Sequence, residues 1–168
     1  MGVDLGLTGG ITIVDDNGLI IVCEPMPIIE IIVNKKKRNQ YDIQAINELF
    51  RAWISEYNIV RACVERLRPI PNQSSQTAFS MGGSTMLFKT IFTVYKIPFV
   101  EIEARTWQKE IFKRAGVQYT GKTTKIASIA AAKTLYPGVS FRKNERCRTD
   151  SDGMTDSAHL STYLKIIN

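Results

Sequence analysis

The sequence predicts an α/β fold in which helices flank a mixed sheet of about five strands, with antiparallel hairpin strands first and parallel strands after them. Short apolar runs separated by turn residues fill the amino-terminal part of the chain and are typical of hairpin strands. Further along, apolar runs of strand length alternate with longer segments of helical period, which is typical of parallel strands joined by helices. We expect residues 1–168 to form a single domain.

The first predicted strand contains a carboxylate and leads into a glycine-rich segment. Asp4 lies in the first apolar run, and Gly6, Gly9 and Gly10 follow it. A carboxylate in a buried strand is costly unless a cation, a proton or a hydrogen-bond donor compensates it, so Asp4 requires a partner. The glycines beside it allow a phosphate or another backbone segment to approach closely.

A hairpin follows, because Ile11–Val14 and Leu19–Cys23 flank the turn sequence from Asp15 to Gly18. The next apolar run, Ile28–Val33, either forms an edge strand or continues the sheet. We expect the basic cluster Lys35–Arg38 after it to be a solvated loop, and contact with nucleic acid is the alternative.

The central part of the chain alternates between helical and strand patterns. The segment 42–57 has the period of an amphipathic helix. Its buried face is expected to contain Ile43, Ile46, Leu49, Phe50, Trp53, Ile54 and Tyr57. The β-branched run Ile59–Glu65 predicts a strand that ends in a carboxylate. A long helix then extends to Lys96. Gly82 and Gly83 within it each reduce helix stability by about 1 kcal/mol, which indicates that another helix or subunit approaches closely there.

Three further helices and one strand are predicted in the remaining part. The strand is Pro98–Glu103, and Ala104–Ala115 is a helix. Another helix opens at Thr120, and its inward residues are expected to be Ile126, Ile129, Ala130 and Leu135. After a basic loop, the last helix begins near Asp152, with Ala158, Leu160, Tyr163 and Leu164 inward.

Composition restricts the classes of function. The chain lacks an apolar run of membrane-spanning length and a signal pattern, so we expect a cytoplasmic protein with no membrane partner, in the host cytoplasm if it is phage-encoded. Its three cysteines form neither a zinc pattern nor a disulfide framework, which fits a reducing compartment. The net charge of +6 favours a polyanionic partner, and the single histidine, His159, excludes mechanisms that need several.

Four acidic residues lie at the ends of predicted elements. Asp4 is on the first strand, Glu65 ends a central strand, and Asp152 and Asp156 begin the last helix. Residues four apart share one helix face, where two like charges are unfavourable without a cation. Oxygen ligands without histidine or cysteine suit Mg²⁺ or Mn²⁺, and two such ions promote phosphodiester cleavage. Each acid alone could instead have an ordinary role, as a salt-bridged residue, a solvated strand end or a helix cap.

Three segments, in this order, resemble the RuvC family of Holliday-junction resolvases and in particular its phage-type branch in the RNase H-like superfamily. They are Gly2–Gly10, Val64–Glu65 and Asp152–Leu160. The segment Arg105–Lys109 and the lysine-rich start of the penultimate helix also match, so the resemblance covers nearly the whole chain. It implies an RNase H-like fold and a homodimer that nicks symmetric strands of four-way junctions by two-metal-ion hydrolysis, leaving 5′-phosphates.

The resemblance also implies roles for individual residues. Two Mg²⁺ ions per site, for which Mn²⁺ would substitute, would be held by Asp4, Glu65, Asp152 and Asp156. Lys122, or alternatively Lys125, would lie beside the scissile phosphate. The segment 72–79 would enter the junction, and the 75–96 helix would form the homodimer. The residues expected to contact DNA are Gln73, Phe79, Lys113, Lys122, Lys125, Arg142, Lys143, Arg146 and Arg148.

Three features depart from the family pattern. Leu5 follows Asp4, where many members have proline, and only three residues precede Asp4. Gly153 stands where cellular members have an acid, and Asp152 lies one residue earlier, so Asp152 is either a ligand or a helix cap. His159 lies one turn past Asp156 and either supports the site or is a satisfied core histidine.

The segment Gly116–Thr123 fits the P-loop pattern GxxxxGK[ST]. A true P-loop joins a buried strand to a helix, whereas the preceding Trp107–Ala115 has helical period. We therefore interpret the segment as a helix start with Thr120 as the N-cap.

Two alternatives to a nuclease of four-way junctions, forks or flaps remain: a non-catalytic module that binds branched DNA, and a nucleotide-binding protein.

Overall fold

A computed structural model describes residues 1–68 and 71–167 of the chain. Its strands are β1 (Gly2–Val3), β2 (Gly10–Val14), β3 (Ile20–Pro25), β4 (Ile28–Val33), β5 (Lys36–Tyr41), β6 (Ala62–Glu65) and β7 (Phe99–Ile102). Its helices are α1 (Ile43–Glu56), α2 (Ser75–Val94), α3 (Ala104–Arg114), α4 (Thr124–Leu135) and α5 (Asp152–Ile166).

The main sheet has five strands in the order β3-β2-β1-β6-β7. β1 pairs antiparallel with β2, and β2 pairs antiparallel with β3. β1 pairs parallel with β6, and β6 pairs parallel with β7. The predicted mixed sheet, with its hairpin strands first and its parallel strands afterwards, is therefore confirmed. Because β1 and β6 are parallel neighbours, both strands end at the same edge of the sheet.

A second sheet consists of β4 and β5 alone. Val33 pairs with Lys36 across a two-residue turn, in which Asn34 and Lys35 have φ of 51° and 61°. Positive φ at both turn residues is the requirement of a type I′ hairpin turn. The prediction that Lys35–Arg38 is a solvated loop is therefore wrong. β5 has no alternation of apolar and polar residues, so its sequence carries no strand signal.

The helices cover both faces of the main sheet, because successive residues of its strands point to opposite sides. Ala62 and Val64 pack in one cluster with Phe50 of α1 and Phe88 of α2. Cys63, which lies between them on β6, packs in the other cluster with residues of the remaining helices: Trp107, Ile111, Ala131, Leu160 and Tyr163. The core predictions for Phe50 and Trp53, and for the inward face of α5, are confirmed.

α5 lies directly against the first strand. A β-carbon added at Gly2 would overlap the carbonyl oxygen of Ser157 and would lie 2.7 Å from the Ser161 hydroxyl. Only glycine at this position allows so close an approach of helix to strand. The packing brings the last helix of the chain onto β1.

The predicted inward faces of two helices are wrong in part. Ile43, at the start of α1, and Ile126, which is 71% exposed, lie outside the core. α4 begins at Thr124 with Thr123, not Thr120, as its N-cap residue. Its buried residues are small ones, Ala127, Ser128, Ala131 and Ala132, because small side chains allow α4 to pack closely against α5.

The two glycines in α2 have no close neighbour. Within the residues that the structure describes, no atom lies within 4 Å of a β-carbon built at Gly82 or Gly83. The close approach that the sequence predicts at this point is therefore not made by the described part of the same chain.

Two features concern the chain as a whole. Across residues 1–68 and 71–167, the helices lack the combination of length and apolar character that crossing a bilayer requires. Cys23, Cys63 and Cys147 are free thiols.

Candidate functional site

Four carboxylates meet where β1 and β6 end. Asp4 directly follows β1, and Glu65 is the last residue of β6. Val3 pairs with Val64 in the parallel ladder, so Asp4 and Glu65 occupy equivalent positions at one edge of the sheet. Asp152 and Asp156 lie on the first turns of α5, which packs against both strands. We refer to these four residues as the acidic cluster.

Gly153 explains how α5 approaches this edge. A β-carbon at Gly153 would overlap the Thr8 carbonyl oxygen and would lie 2.9 Å from Oδ2 of Asp4. The first turn of α5 therefore packs on the β1–β2 connection with no room for a side chain between them. An acidic residue cannot occupy position 153 in this packing, and the carboxylate one residue earlier, Asp152, joins the cluster instead.

Asp4 is the most central acid of the cluster. The pKa of its carboxyl group is raised to about 6, mainly by burial and also by the charge of Asp152, whereas the charges of Lys125 and Lys143 lower it. The Gly6 backbone N–H donates to Oδ1 across 3.0 Å and also stabilises the charged form. These contacts offset only part of the cost of burying the charged carboxylate. Asp4 therefore still requires a cation or a proton as a partner, as its position in the sequence predicts.

Asp156 and Glu65 are in the same situation. Burial raises the pKa of Asp156 well above its ordinary value, and the charges of Asp4, Glu65 and Asp152 add to that increase. The Ser128 hydroxyl opposes it by donating a hydrogen bond to Asp156 Oδ1. Burial and the charge of Asp4 also raise the pKa of Glu65, whose Oε2 accepts from the Trp107 indole N–H across 3.2 Å. The acids repel one another, and a cation or a proton relieves such repulsion.

Asp152 is paired with a lysine. Its Oδ2 lies 2.8 Å from Nζ of Lys125, which is on the first turn of α4 and whose side chain is 80% exposed. An ion pair this exposed contributes little to stability. The helix-cap alternative for Asp152 is wrong, because Ser151 is the N-cap residue of α5. Lys122 lies exposed in the turn before α4, so Lys125 is the lysine that contacts the cluster.

The donor chemistry of the cluster fits a divalent cation. Four carboxylates without histidine or cysteine are the oxygen ligands that Mg²⁺ and Mn²⁺ prefer. In the part of the chain that the structure describes, no three acidic, histidine or cysteine side chains have the spacing of a formed metal site. Three carboxylates of the acidic cluster accept from protein donors: Asp156 accepts from Ser128, Glu65 from Trp107, and Asp152 from Lys125.

Comparison with solved structures identifies the fold. Thermus thermophilus RuvC, in a complex with Holliday junction substrate, matches with a TM-score of 0.57 and 12% sequence identity, over 98% of this chain and 93% of that one. The chain has the fold of RuvC. A second Thermus thermophilus RuvC structure matches with a TM-score of 0.53 and 10% identity, over 98% and 94% of the two chains. No protein-family model and no curated protein matches the sequence.

His159 does not contact the acids in this RuvC-like fold. It is fully buried among the rings of Trp107, Phe112 and Tyr136, and burial lowers its pKa to about 4, so it is neutral at pH 7. Its Nε2 lies 3.0 Å from the Ser128 carbonyl oxygen. Its Nδ1 has no hydrogen-bond partner among the described residues. His159 is therefore a core histidine that touches the backbone of the residue whose hydroxyl holds Asp156.

The basic residues predicted to contact DNA are only partly near the cluster. Lys143 is close enough to affect the pKa of Asp4. Arg142, Arg146 and Arg148 are exposed on the same loop before α5. Lys113 lies nearly two turns beyond Trp107 on α3, near the end of that helix away from Glu65.

The other two predicted DNA contacts lie at the start of α2. Phe79 is 84% exposed. The side-chain amide of Gln73 donates to the Met81 sulfur, so Gln73 is held against the helix. Both residues are candidates for contacts outside the acidic cluster.

The P-loop pattern lacks its structural context. Gly116–Thr123 follows α3 and precedes α4, so it joins two helices, as the sequence predicts. The nucleotide-binding alternative therefore has no support from the fold around Lys122.

Three residues that contact the site were missed from sequence. Ser128 lies one turn after Lys125 on α4, so helical spacing could have placed it beside the cluster. Trp107 lies in the predicted helix Ala104–Ala115, but no local pattern indicates its hydrogen bond to Glu65. Tyr41 has no sequence signal for a role at the site, because it ends a strand whose other residues are polar. Its hydroxyl donates to the Leu5 carbonyl oxygen, next to Asp4.

Proposed function

We propose that this chain is a magnesium-dependent, structure-selective endonuclease that nicks four-way junctions or other branched DNA and leaves 5′-phosphates. The observation that carries the proposal is the meeting of four carboxylates, from β1, β6 and α5, at one edge of a sheet with the RuvC fold. The net charge of +6 favours a polyanionic substrate. One of the structural neighbours is a RuvC bound to Holliday junction DNA, which makes branched DNA the first substrate to test.

Asp4, Glu65, Asp152 and Asp156 would together hold two divalent cations, Mg²⁺ or, as a substitute, Mn²⁺. When bound, these cations supply activation of a water and stabilisation of the leaving oxygen in phosphodiester hydrolysis. Their charge would offset the repulsion that raises the pKa of Asp4, Glu65 and Asp156. Ser128 and Trp107 would then serve as positioning residues that keep the Asp156 and Glu65 carboxylates directed into the cluster.

Lys125 would contact the scissile phosphate. In the absence of DNA its Nζ pairs with Asp152, and its side chain is largely exposed, so a phosphate can reach it. A lysine that exchanges Asp152 for a phosphate would neutralise charge beside the reacting group. Lys143, whose charge acts on Asp4, would contribute from the opposite loop.

We further propose that α2 forms a homodimer and presents Phe79 to the junction. The bare surface at Gly82 and Gly83 allows another helix to approach, and Met86 on the same helix is exposed. Phe79 is exposed at the start of α2, where an aromatic ring can stack on an unpaired base. Two copies arranged in this way would place two acidic clusters on one four-way junction.

A nicking assay tests the nuclease proposal. Wild type, Asp4→Asn and Glu65→Gln are incubated with a synthetic four-way junction and with linear duplex of the same sequence, with Mg²⁺ or EDTA. We expect magnesium-dependent nicks on the junction that both variants lose. Asp16→Asn, which removes an exposed acid from the β2–β3 turn, is the matched control and is expected to retain activity. Equal nicking by Asp4→Asn and wild type would overturn the proposal.

A second candidate function has its own support. Lys125, Ser128 and Trp107 already give Asp152, Asp156 and Glu65 protein partners, which is an arrangement expected of a module that binds branched DNA without cleaving it. In that case wild type would bind the junction more tightly than linear duplex, and no nicks would form with Mg²⁺ or Mn²⁺. The same assay, run with a binding measurement, separates the two candidates.

A further inference from the structure

The second sheet projects from the rest of the fold. We refer to residues 28–41, which comprise β4, β5 and their turn, as the ribbon. Within the described residues, each of its strands is hydrogen-bonded in a sheet only to the other strand. Most of its side chains are exposed, including that of Ile32, which is 74% exposed. A two-stranded ribbon is at best marginally stable by itself in water, so its exposure requires an explanation.

The ribbon carries a large share of the positive charge. It contains four basic residues, Lys35, Lys36, Lys37 and Arg38, and one acid, Glu30, a net charge of +3 against +6 for the whole chain. Lys37 pairs with Glu30 across 2.8 Å. Lys35, Lys36 and Arg38 make no ion pair with the described residues. Three cations therefore remain available on an element of fourteen residues.

The base of the ribbon lies at the acidic cluster. Tyr41, the last residue of β5, donates its hydroxyl hydrogen to the Leu5 carbonyl oxygen, and its pKa is raised by burial and, to a smaller extent, by the charge of Asp4. Alternation along β5 puts Lys37 and Asn39 on the face of Tyr41, and puts Lys36 and Arg38 on the opposite face. At about 3.4 Å per residue, the turn at Lys35 lies about 20 Å from Tyr41.

We propose that the ribbon is a DNA-binding arm that holds the duplex leading away from the strand bound at the acidic cluster. Lys36 and Arg38 would contact its phosphates. This inference rests on the proposed function, because it takes the acidic cluster as the place where the cut strand lies. Along β5, Lys36 lies about 17 Å and Arg38 about 10 Å from Tyr41, which correspond to about five and about three base pairs of duplex at 3.4 Å each. The contacts would therefore lie about three to five base pairs from the nick.

Charge and shape favour DNA over a protein partner. Three unpaired cations within four residues match the regular negative charge of a duplex backbone. The major groove of B-DNA admits a two-stranded ribbon, and Ile29, an exposed residue that pairs with Gln40 on the face of Lys36 and Arg38, can contact thymine methyl groups there. A ribbon that binds an apolar protein surface would instead expose isoleucines with no cluster of like charges beside them, because charged residues are depleted at the core of protein interfaces.

Binding measurements at several salt concentrations test this inference. The proteins carry Asp4→Asn to prevent cleavage, and they are titrated into a labelled four-way junction and into a linear duplex. Lys36→Thr with Arg38→Thr removes two ribbon charges and keeps strand-forming residues. Arg51→Ala with Lys133→Ala removes two exposed charges from α1 and α4 and is the matched control. Thermal unfolding of each variant establishes that the fold is retained.

We expect the ribbon variant to bind both DNAs about tenfold more weakly at moderate salt. Its plot of log affinity against log salt should be less steep by about 2, because each lost phosphate contact removes about 0.9 from the slope. The control is expected to keep the wild-type slope. Neutral methylphosphonates about three to five base pairs from the nick should weaken binding by the parent protein and not by the ribbon variant. Unchanged affinity and slope in a folded ribbon variant would overturn the inference. Binding of junction and duplex with equal affinity would count against the proposed function instead, and the slope would still test the ribbon.

Discussion

The Ser128 hydroxyl donates a hydrogen bond to the Asp156 carboxylate and thereby links α4 to the acidic cluster on α5. This hydrogen bond stabilises the charged form of Asp156, while burial and three neighbouring acids favour the neutral form. The charge state of the cluster therefore depends on a residue that is not itself an acid. Substitutions around the cluster test this electrostatic account.

Ser128→Ala should lower the nicking rate near neutral pH by about tenfold, because loss of the donated hydrogen bond raises the pKa of Asp156 further and leaves less of it ionised. The pH–rate profile should shift to higher pH, and the rate should recover toward the wild-type value as pH increases. Ser55→Ala, on the exposed surface of α1, is the control. A uniform loss of rate with an unshifted profile would contradict the positioning role of Ser128.

Asp4→Asn should stabilise the protein in EDTA at pH 8. Asp4 is buried and its folded pKa is about 6, against 3.8 when unfolded, so the folded state binds more protons between those values and stability falls as pH rises through that window. The penalty is absent below pH 3.8 and complete above pH 6, where it amounts to about 3 kcal/mol. Urea unfolding at pH 4.5 and pH 8 measures it. If the stability difference between variant and wild type is the same at both pH values, the burial account of Asp4 is wrong.

Added Mg²⁺ should raise the melting temperature of wild type at pH 8 and should have little effect on Asp4→Asn. A cation that binds only the folded state stabilises it by about 2.7 kcal/mol at one hundred times its dissociation constant. Differential scanning calorimetry with Mg²⁺, Mn²⁺ or EDTA measures this directly and requires no DNA. Equal increases for wild type and Asp4→Asn would show that the ion binds elsewhere.

Lys125→Ala should reduce nicking by at least about tenfold, whereas Lys122→Ala should have a much smaller effect, since only Lys125 contacts the acidic cluster. Because the Lys125–Asp152 pair is exposed, its loss should change the free energy of unfolding by less than about 1 kcal/mol. The comparison is made by single-turnover nicking and by urea unfolding of both variants. The reverse order of nicking rates would place the phosphate nearer to Lys122.

Gly153→Ala should destabilise the protein by about 3 kcal/mol or more, because its β-carbon would overlap backbone atoms of Thr8 and Gly9. Gly121→Ala is the matched glycine control. Nothing among the described residues lies within 4 Å of its β-carbon and its φ is not positive, so it should stabilise the protein by about 0.4–1 kcal/mol. Urea unfolding measures both, and a well-tolerated alanine at 153 would refute the close packing of α5.

The main sheet and the acid positions could be predicted from sequence because each has a local signal. β2 and β3 have apolar runs around an Asn-Gly turn, and β6 lies in a run that contains Ile59, Val60 and Val64 and ends in Glu65. Acids at strand ends come together whenever the strands are parallel neighbours, so Asp4 and Glu65 follow from the topology. The resemblance to RuvC resolvases in the segments that carry these acids pointed to the same fold.

The remaining differences have physical causes that the sequence does not display. β5 is polar at every position before Tyr41, because both faces of the ribbon are exposed and no core requires an apolar residue there. α4 begins later than the sequence indicates. Lys122 therefore lies in the exposed turn before the helix, whereas Lys125 lies on its first turn and reaches Asp152. Contacts such as Trp107 with Glu65 join residues from different elements and have no local signal.

The packing of α5 on Gly2 has a consequence for protein synthesis. β1 precedes α5 in the chain, so it is synthesised well before the helix that covers it and that supplies Asp152 and Asp156. Until α5 docks, one face of β1 is uncovered and only two of the four acids are present. A polypeptide that ends before α5 therefore cannot assemble the cluster, so on the proposed function a nascent chain would be unable to cut DNA until α5 has been made and has docked.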